Sequence, residues 1–282
     1  MRTSETSDMD SFAGVREQPI GSDAVPLSSV RHAVRRFRSA QRSVTALNDV
    51  SIDVFEGECV ALIGGSGSGK STLGGIMLGL DHVEEGSVEY RSMPVCGIRS
   101  AGYQALRKES GLVLQNPFDS LNPRWMVERI VREPLDIQDR SLSRDERTSR
   151  VCDAIRSVGL DPAEFVDRYP MDLSGGQAQR IAIARAIVNI PTLLVADEPM
   201  SAIDVNARVT ILDTFASIRR RHPSMAMLFI SHDLGVVQHI ADRIVVLHDG
   251  EVCESGDAQR ILNHPGSSYT KALIAAASWQ KS

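Results

Sequence analysis

Gly64-Gly65-Ser66-Gly67-Ser68-Gly69-Lys70-Ser71 fits the G-x-x-x-x-G-K-S/T pattern of a phosphate loop. The residues before it, Cys59 to Ile63, read as a short, fully buried strand, and those after it, Thr72 to Leu80, read as a helix. Strand, loop and helix are the context the pattern needs. The glycines let the backbone turn tightly with its N–H groups inward, and a polyphosphate lies in that concavity at the positive end of the helix. Lys70 then reaches the β- and γ-phosphates, and Ser71 ligates Mg²⁺. A flexible Gly/Ser linker needs neither the terminal Lys-Ser nor a buried strand and a helix at its two ends.

Outward from this stretch, composition sets bounds. A chain of 282 residues with 42% hydrophobic content holds one large α/β domain or two smaller ones around a sizeable core. A formal net charge of -5 and a pI near 5.8 argue against a nucleic-acid-binding surface. No apolar run approaches the roughly 18 residues that span a bilayer, and no signal peptide opens the sequence, so a cytosolic protein is expected. Cys59, Cys96, Cys152 and Cys253 form no C-x-x-C pair, which points to reduced, small hydrophobes and not to zinc or disulfides.

Residues 1–27 are polar, with too little to bury, and are expected to be a disordered tail. Arg31, Arg35, Arg36, Arg38 and Arg42 surround Phe37 and read as solvated charge. Val50 to Val54 alternate and turn at Glu56-Gly57 into the strand before the phosphate loop, which predicts an antiparallel hairpin. In the helix that follows, Gly74, Gly75 and Gly79 each cost about 1 kcal/mol relative to Ala, and close packing on the sheet is expected to compensate. Glu84 to Arg107 reads as a polar connection, and Gly111 to Leu114 as a buried strand ending in Gln115. From about 118 to 175 the pattern is that of a helical insertion: Ser143 and Glu146 form a capping box, Val151, Ala154, Ile155 and Val158 form a stripe, and a second start follows at Asp161-Pro162.

Leu173-Ser174-Gly175-Gly176-Gln177 opens a further helix, with Ser174 at the N-cap. Thr192 to Ala196 is a buried strand ending in Asp197-Glu198, where the first carboxylate suits Mg²⁺ and the second suits polarising an attacking water. Asp204 begins a helix with Val209, Leu212, Phe215 and Ala216 inward, and Met225 to Ile230 is a strand followed by Ser231-His232-Asp233. Ile244 to Val252 reads as a hairpin, and residues 257–282 as a helical extension of the domain at 28–256. Four buried strands thus end in the phosphate loop, Gln115, Asp197-Glu198 and His232, and ligands of open parallel sheets bind beyond the carboxyl ends of the strands. Hydrolysis of a nucleotide's γ-phosphate is the chemistry these groups support.

The order and spacing of these motifs resemble the nucleotide-binding subunit of ATP-binding-cassette transporters from about residue 30 to the C-terminus. The resemblance implies a P-loop NTPase (RecA-like) core with an antiparallel β subdomain and an inserted helical subdomain. It implies ATP and Mg²⁺ as cofactors, with Gly64, Gly65, Ser66, Gly67, Ser68, Gly69, Lys70, Ser71 and Thr72 on the phosphates and Ser71, Gln115 and Asp197 near the metal. Glu198 is then the base, His232 the switch holding γ-phosphate, water and Glu198 together, and Gln115 the loop that senses the permease. Ser174, Gly175, Gly176 and Gln177 touch the nucleotide of a second ATPase subunit, with Asp204 in the dimer-contact loop. Phe37 is the nearest candidate for stacking on adenine. Gln115 to Arg124 and Tyr269 to Leu273 look like the dipeptide, oligopeptide and nickel importer branch. That likeness implies membrane permeases as partners, an extracytoplasmic substrate-binding protein indirectly, and a place on the cytoplasmic face of a prokaryotic membrane. Two other classes share part of this pattern. DNA-repair cassettes carry long insertions where about a hundred residues separate loop and signature here; a soluble cassette serving another complex, as in phosphonate metabolism, shares the motifs. GTPases carry an N-K-x-D motif that is missing from this sequence.

Overall fold

A computed structural model describes residues 24–38, 43–201 and 203–279; most of the expected tail, Arg42 and Ala202 lie outside the described residues. Leu27 is buried and its N–H donates to the Val54 carbonyl, so this residue of the expected tail packs on the domain. Strand β1 (Ser28–Arg38) pairs antiparallel with β2 (Ser43–Val54). Val30 and Ala33 of one and Leu47, Val50, Ile52 and Val54 of the other bury a common face. Three of the arginines have acidic partners: Arg31 on Asp53 at 2.7 Å, Arg35 on Asp81 at 2.9 Å and Arg36 on Glu85 at 2.9 Å. Solvated charge therefore gives way to ion pairs, the more exposed of them, at Arg31 and Arg36, worth at most about 1 kcal/mol each.

The hairpin expected from Val50 through the Glu56-Gly57 turn does not form. The turn carries the chain from one sheet to another, because β2 already has its partner in β1. Strand β3 (Cys59–Ile63) is buried on both faces, as a strand flanked by parallel neighbours must be. Helix α1 (Lys70–Met77) ends at Leu78, and Gly79, at φ 65°, is the left-handed residue just past its end and not an interior glycine. Close packing holds for Gly74, where an added Cβ would lie 2.8 Å from Ile230 Cδ1, and not for Gly75. Gly74→Leu is expected to cost about 1–2 kcal/mol net, overpacking outweighing the helix propensity gained. A lower denaturation midpoint at unchanged slope is the measurement that checks it.

The stretch read as a polar connection contains three elements: β4 (Glu85–Tyr90), β5 (Met93–Pro94) and α2 (Ala101–Glu109), the last capped by Ser100. The smaller sheet runs β2-β1-β4-β5. Strand β6 (Ser110–Val113) leads into the helical layer: α3 (Pro117–Ser120), α4 (Val127–Gln138), α5 (Arg144–Ser157), α6 (Pro162–Phe165) and α7 (Gly175–Ile187). Ser143 and Glu146 exchange both capping-box hydrogen bonds. Ile130, Val131, Val151, Ile155 and Ile181 share one core there, and α7 also packs on β6, so it belongs to both layers.

Strand β7 (Leu193–Asp197) is followed by α8 (Val205–Arg221), β8 (Ala226–Ile230), α9 (Leu234–Ile240), β9 (Arg243–His248) and β10 (Glu251–Asp257). On α8, Val209 is 63% exposed, and the inward face is carried by Ile211, Phe215 and Ile218. The β9–β10 turn at Asp249-Gly250 has both residues at positive φ, as a two-residue hairpin demands. The larger sheet runs β10-β9-β3-β8-β7-β6, parallel from β9 to β6. Helices α10 (Ala258–Asn263) and α11 (Ser268–Trp279) close the chain, Ile261, Leu273 and Ile274 packing with Ile63 and Val246. Of the cysteines only Cys59 is a buried hydrophobe; Cys96 and Cys253 are exposed. No described helix is long and apolar enough to cross a membrane.

Candidate functional site

Four neighbouring parallel strands, β3, β8, β7 and β6, deliver their carboxyl ends to one edge of the sheet. The loop after β3 is held by close backbone approach. A Cβ on Gly64 would sit 2.1 Å from the Leu247 carbonyl oxygen, and one on Gly69, at φ 102°, would sit 2.3 Å from that of Ala46. Lys70 is 7% exposed, and its Nζ donates to the carbonyls of Gly64 at 2.9 Å and Gly65 at 2.7 Å. Burial holds its ammonium below the ordinary lysine value, with the charges of Glu198 and Asp197 opposing. A buried ammonium that donates to two neutral carbonyls, with no acid on it among the described residues, fits an anion. Ser68 Oγ is likewise buried with no partner among the described residues.

Beyond the loop, Ser71 Oγ donates to Asp197 Oδ1 at 3.2 Å. Burial raises the Asp197 carboxyl above its usual range, against the hydrogen bond from Ser71, and the neighbouring charge of Glu198 adds to the rise. Glu198 takes a left-handed backbone, φ 48°, a strain of about 1–3 kcal/mol for a residue with a Cβ. Its N–H donates to the Ile230 carbonyl at 3.0 Å, and its own carbonyl accepts from the N–H and hydroxyl of Ser201 at 3.2 and 3.1 Å. The strain aims the carboxylate at His232, whose Nδ1 lies 2.6 Å from Glu198 Oε2. A carboxylate accepts, so Nδ1 carries the proton of that bond.

Of these groups Lys70, Ser71, Glu198 and His232 open on one cleft of about 710 Å³, whereas Ser68 and Asp197 are not among its lining residues. Residues 64–67 and 69–72 line it, with Phe37, Gln115, Glu198 and His232. Phe37 is 45% exposed at the rim, with the Arg35 guanidinium 4.6 Å from its ring centre. Ser174, Gly175, Gly176, Gln177 and Asp204 are not among the lining residues. Ser174 caps α7 in a capping box with Gln177, and Asp204 caps α8. Val44, Ala46 and Leu273 also line the cleft, and the Tyr269 hydroxyl accepts from the Gly65 N–H at 2.9 Å. The sequence marks no function for these four; Tyr269 and Leu273 in particular reach back some 200 residues and leave no local pattern.

The sequence profile described as ABC transporter matches residues 47–201. This chain belongs to the ABC transporter family. Among curated relatives it is 39% identical over 233 residues to the dipeptide transport ATP-binding protein DppF of Lactococcus lactis subsp. cremoris, covering 82% of this chain and 74% of that one. It is 42% identical over 234 residues to the peptidoglycan transport ATP-binding protein YejF of Agrobacterium fabrum, spanning 83% of this chain but 42% of that longer protein. Among solved structures, the dimeric post-hydrolysis state of the ATP-binding cassette MJ0796 bound to ADP and Pi superposes with a TM-score of 0.73 at 29% identity, covering 82% of this chain and 98% of that one. The cassette fold, the binding of ATP and its hydrolysis follow for this chain, and a non-transport cassette is not the reading these relatives favour.

Proposed function

We propose that this cassette is the ATP-hydrolysing subunit of a peptide importer, working on the cytoplasmic face of a prokaryotic membrane. The observation that carries the reading is the 2.6 Å contact between His232 and Glu198 in the cleft that the Lys70 loop also lines. Attack of water on a γ-phosphate needs placement, charge neutralisation and a proton acceptor, and little covalent chemistry from the protein. Lys70 leaves its carbonyls for the β- and γ-phosphates, and the amides of the loop to Thr72 hold the remaining oxygens. Glu198 accepts the proton of the water, and His232, anchored through Nδ1, keeps its second ring nitrogen for the water or the γ-phosphate. Phe37 stacks on adenine at the rim.

The donor set fits Mg²⁺. Among the described residues no three His, Cys, Asp or Glu side chains converge as a cage, so the oxygens of Ser71 and Asp197, with Gln115 nearby, suit an ion whose other ligands are phosphate oxygens and water. Mg²⁺ supplies charge neutralisation there, and the raised Asp197 carboxyl is a site that a cation would bring back to its ionised form.

Partners follow from what the cleft omits. Ser174 to Gln177 and Asp204, away from the phosphate loop of their own chain, complete the site of a second ATPase subunit in a head-to-tail dimer, in keeping with the dimeric solved relative. Permease subunits meet the chain near Gln115, where exposed Leu114 and Phe118 flank the loop, and a substrate-binding protein outside the membrane delivers the cargo. Peptide as that cargo rests on the dipeptide and oligopeptide transport relatives.

In proteoliposomes containing the chain and the permeases that co-purify with it, ATP-driven uptake of a labelled oligopeptide is expected. Lys70→Ala is expected to weaken ATP binding roughly 10- to 100-fold, the worth of a charge-assisted contact to phosphate, and to stop uptake. ATP hydrolysis stimulated by a different solute would overturn the cargo and leave the ATPase in place.

A further inference from the structure

The C-terminal helix reaches back to the phosphate loop at one atom. Tyr269, in the first turn of α11, accepts the Gly65 N–H at 2.9 Å, while the carbonyl of the same residue accepts from Lys70 Nζ at 2.7 Å. Gly65 is thus held from both ends, by the C-terminal extension and by the lysine that must reach the phosphates. The tyrosine ring is itself fixed. It stacks on His248 at 3.7 Å between centroids and 17° between planes, and His248 follows Leu247, whose carbonyl oxygen fills the space a Cβ on Gly64 would need. The start of α11 is tied down by Glu254, whose carboxylate accepts the N–H groups of Gly266 at 2.8 Å and Ser267 at 3.1 Å, and Leu273 and Ile274 seat the helix in the core. Tyr269 does not line the cleft, whereas Leu273, one turn on, does.

We propose that Tyr269 is a positioning residue for nucleotide binding: the C-terminal extension clamps the Gly65 peptide, and so pre-forms the loop that receives the phosphates. The proposal rests on the reading of residues 64–72 as that loop. Its physics is preorganisation. A loop already in its binding shape loses less freedom when ATP arrives, so the clamp contributes to affinity without touching the ligand. It leaves the chemical step alone, because neither Glu198 nor His232 contacts it.

Tyr269→Phe removes the acceptor and keeps the ring on His248. In the full chain carrying Glu198→Gln, so that ATP is not consumed, the ATP dissociation constant is expected to rise about 3- to 10-fold, the span of one lost hydrogen bond. Amide exchange of residues 64–69 is expected to quicken, with the nucleotide-free melting temperature essentially unchanged. Tyr269→Ala, which also loses the stack, should bind more weakly still and melt lower. Unchanged ATP affinity in Tyr269→Phe overturns the clamp, as does a loss of affinity that only tracks a fall in melting temperature. If the parent chain binds no ATP, the reading of the loop fails first and the clamp falls with it.

Discussion

Glu198→Gln is expected to keep ATP bound and to slow its hydrolysis about 10²- to 10⁴-fold, the usual worth of a general base. The change is nearly isosteric, which matters because the residue's left-handed backbone is held by Ile230 and Ser201, neither of which touches the side chain's charge. A glutamine amide still meets His232 but cannot take a proton from water. Binding and rate should therefore separate, with ATP affinity measured at equilibrium and turnover measured by phosphate release. Loss of both together would make Glu198 a structural residue. Glu198 is 16% exposed and His232 63%, so the acceptor is sheltered on one side while its histidine partner faces the open cleft.

The second large effect appears only on mixing. A chain with Lys70→Ala and a chain with Gly175→Asp are each expected to be nearly inactive, and to regain activity when combined. In a head-to-tail dimer each ATP lies between the phosphate loop of one chain and Ser174 to Gln177 of the other. In the mixed dimer one site carries both defects and the other carries none. Gly175 is the better position for the change: a Cβ there meets Ile203 Cδ1 at an ordinary 3.8 Å, whereas at Gly176 it would press on Ala207 at 3.0 Å. An aspartate in the first turn of α7 suits the helix and repels a phosphate. Silence on mixing, when mixed dimers are shown to form, leaves two explanations. A crosslink between Ser66→Cys of one chain and Ser174→Cys of another, both exposed positions, separates sites that lie within one chain from sites that need both halves intact.

How much of this was legible in the sequence depended on whether burial was local. Strands β3, β7 and β8 are unbroken apolar runs because neighbours cover both faces, and their ends, with Gln115 after β6, locate the cleft. Strand β1 is hidden, since its register shifts between Val30 and Arg36 break the alternation of apolar and polar positions, and the acidic partners of Arg31, Arg35 and Arg36 lie 22 to 49 residues away. Strand β4 buries only Val88 and Tyr90, too few for a period to register. On helix α8 the expected stripe holds at Phe215 and fails at Val209, which fits a 3.6-residue repeat yet is exposed while Ile211 and Ile218 are buried. The Tyr269 contact spans 204 positions and obeys no period at all.

The order of the larger sheet bears on how the chain comes to exist. Strand β8, the last of the four that carry the cleft to be synthesised, lies between β3 and β7. Until residues 226–230 have left the ribosome, the Lys70 loop and the Asp197-Glu198 pair sit on sheet edges with no strand to join them. Without β8 nothing in the sheet order joins the Lys70 loop to the Asp197-Glu198 pair, so a chain that stops short of residue 226 lacks the arrangement of the cleft. The same arrangement makes the pairing non-local and its closure slow, and before β8 and β9 are made it leaves both edges of β3 and one edge of β7 unpaired, the condition under which nascent chains depend on chaperones.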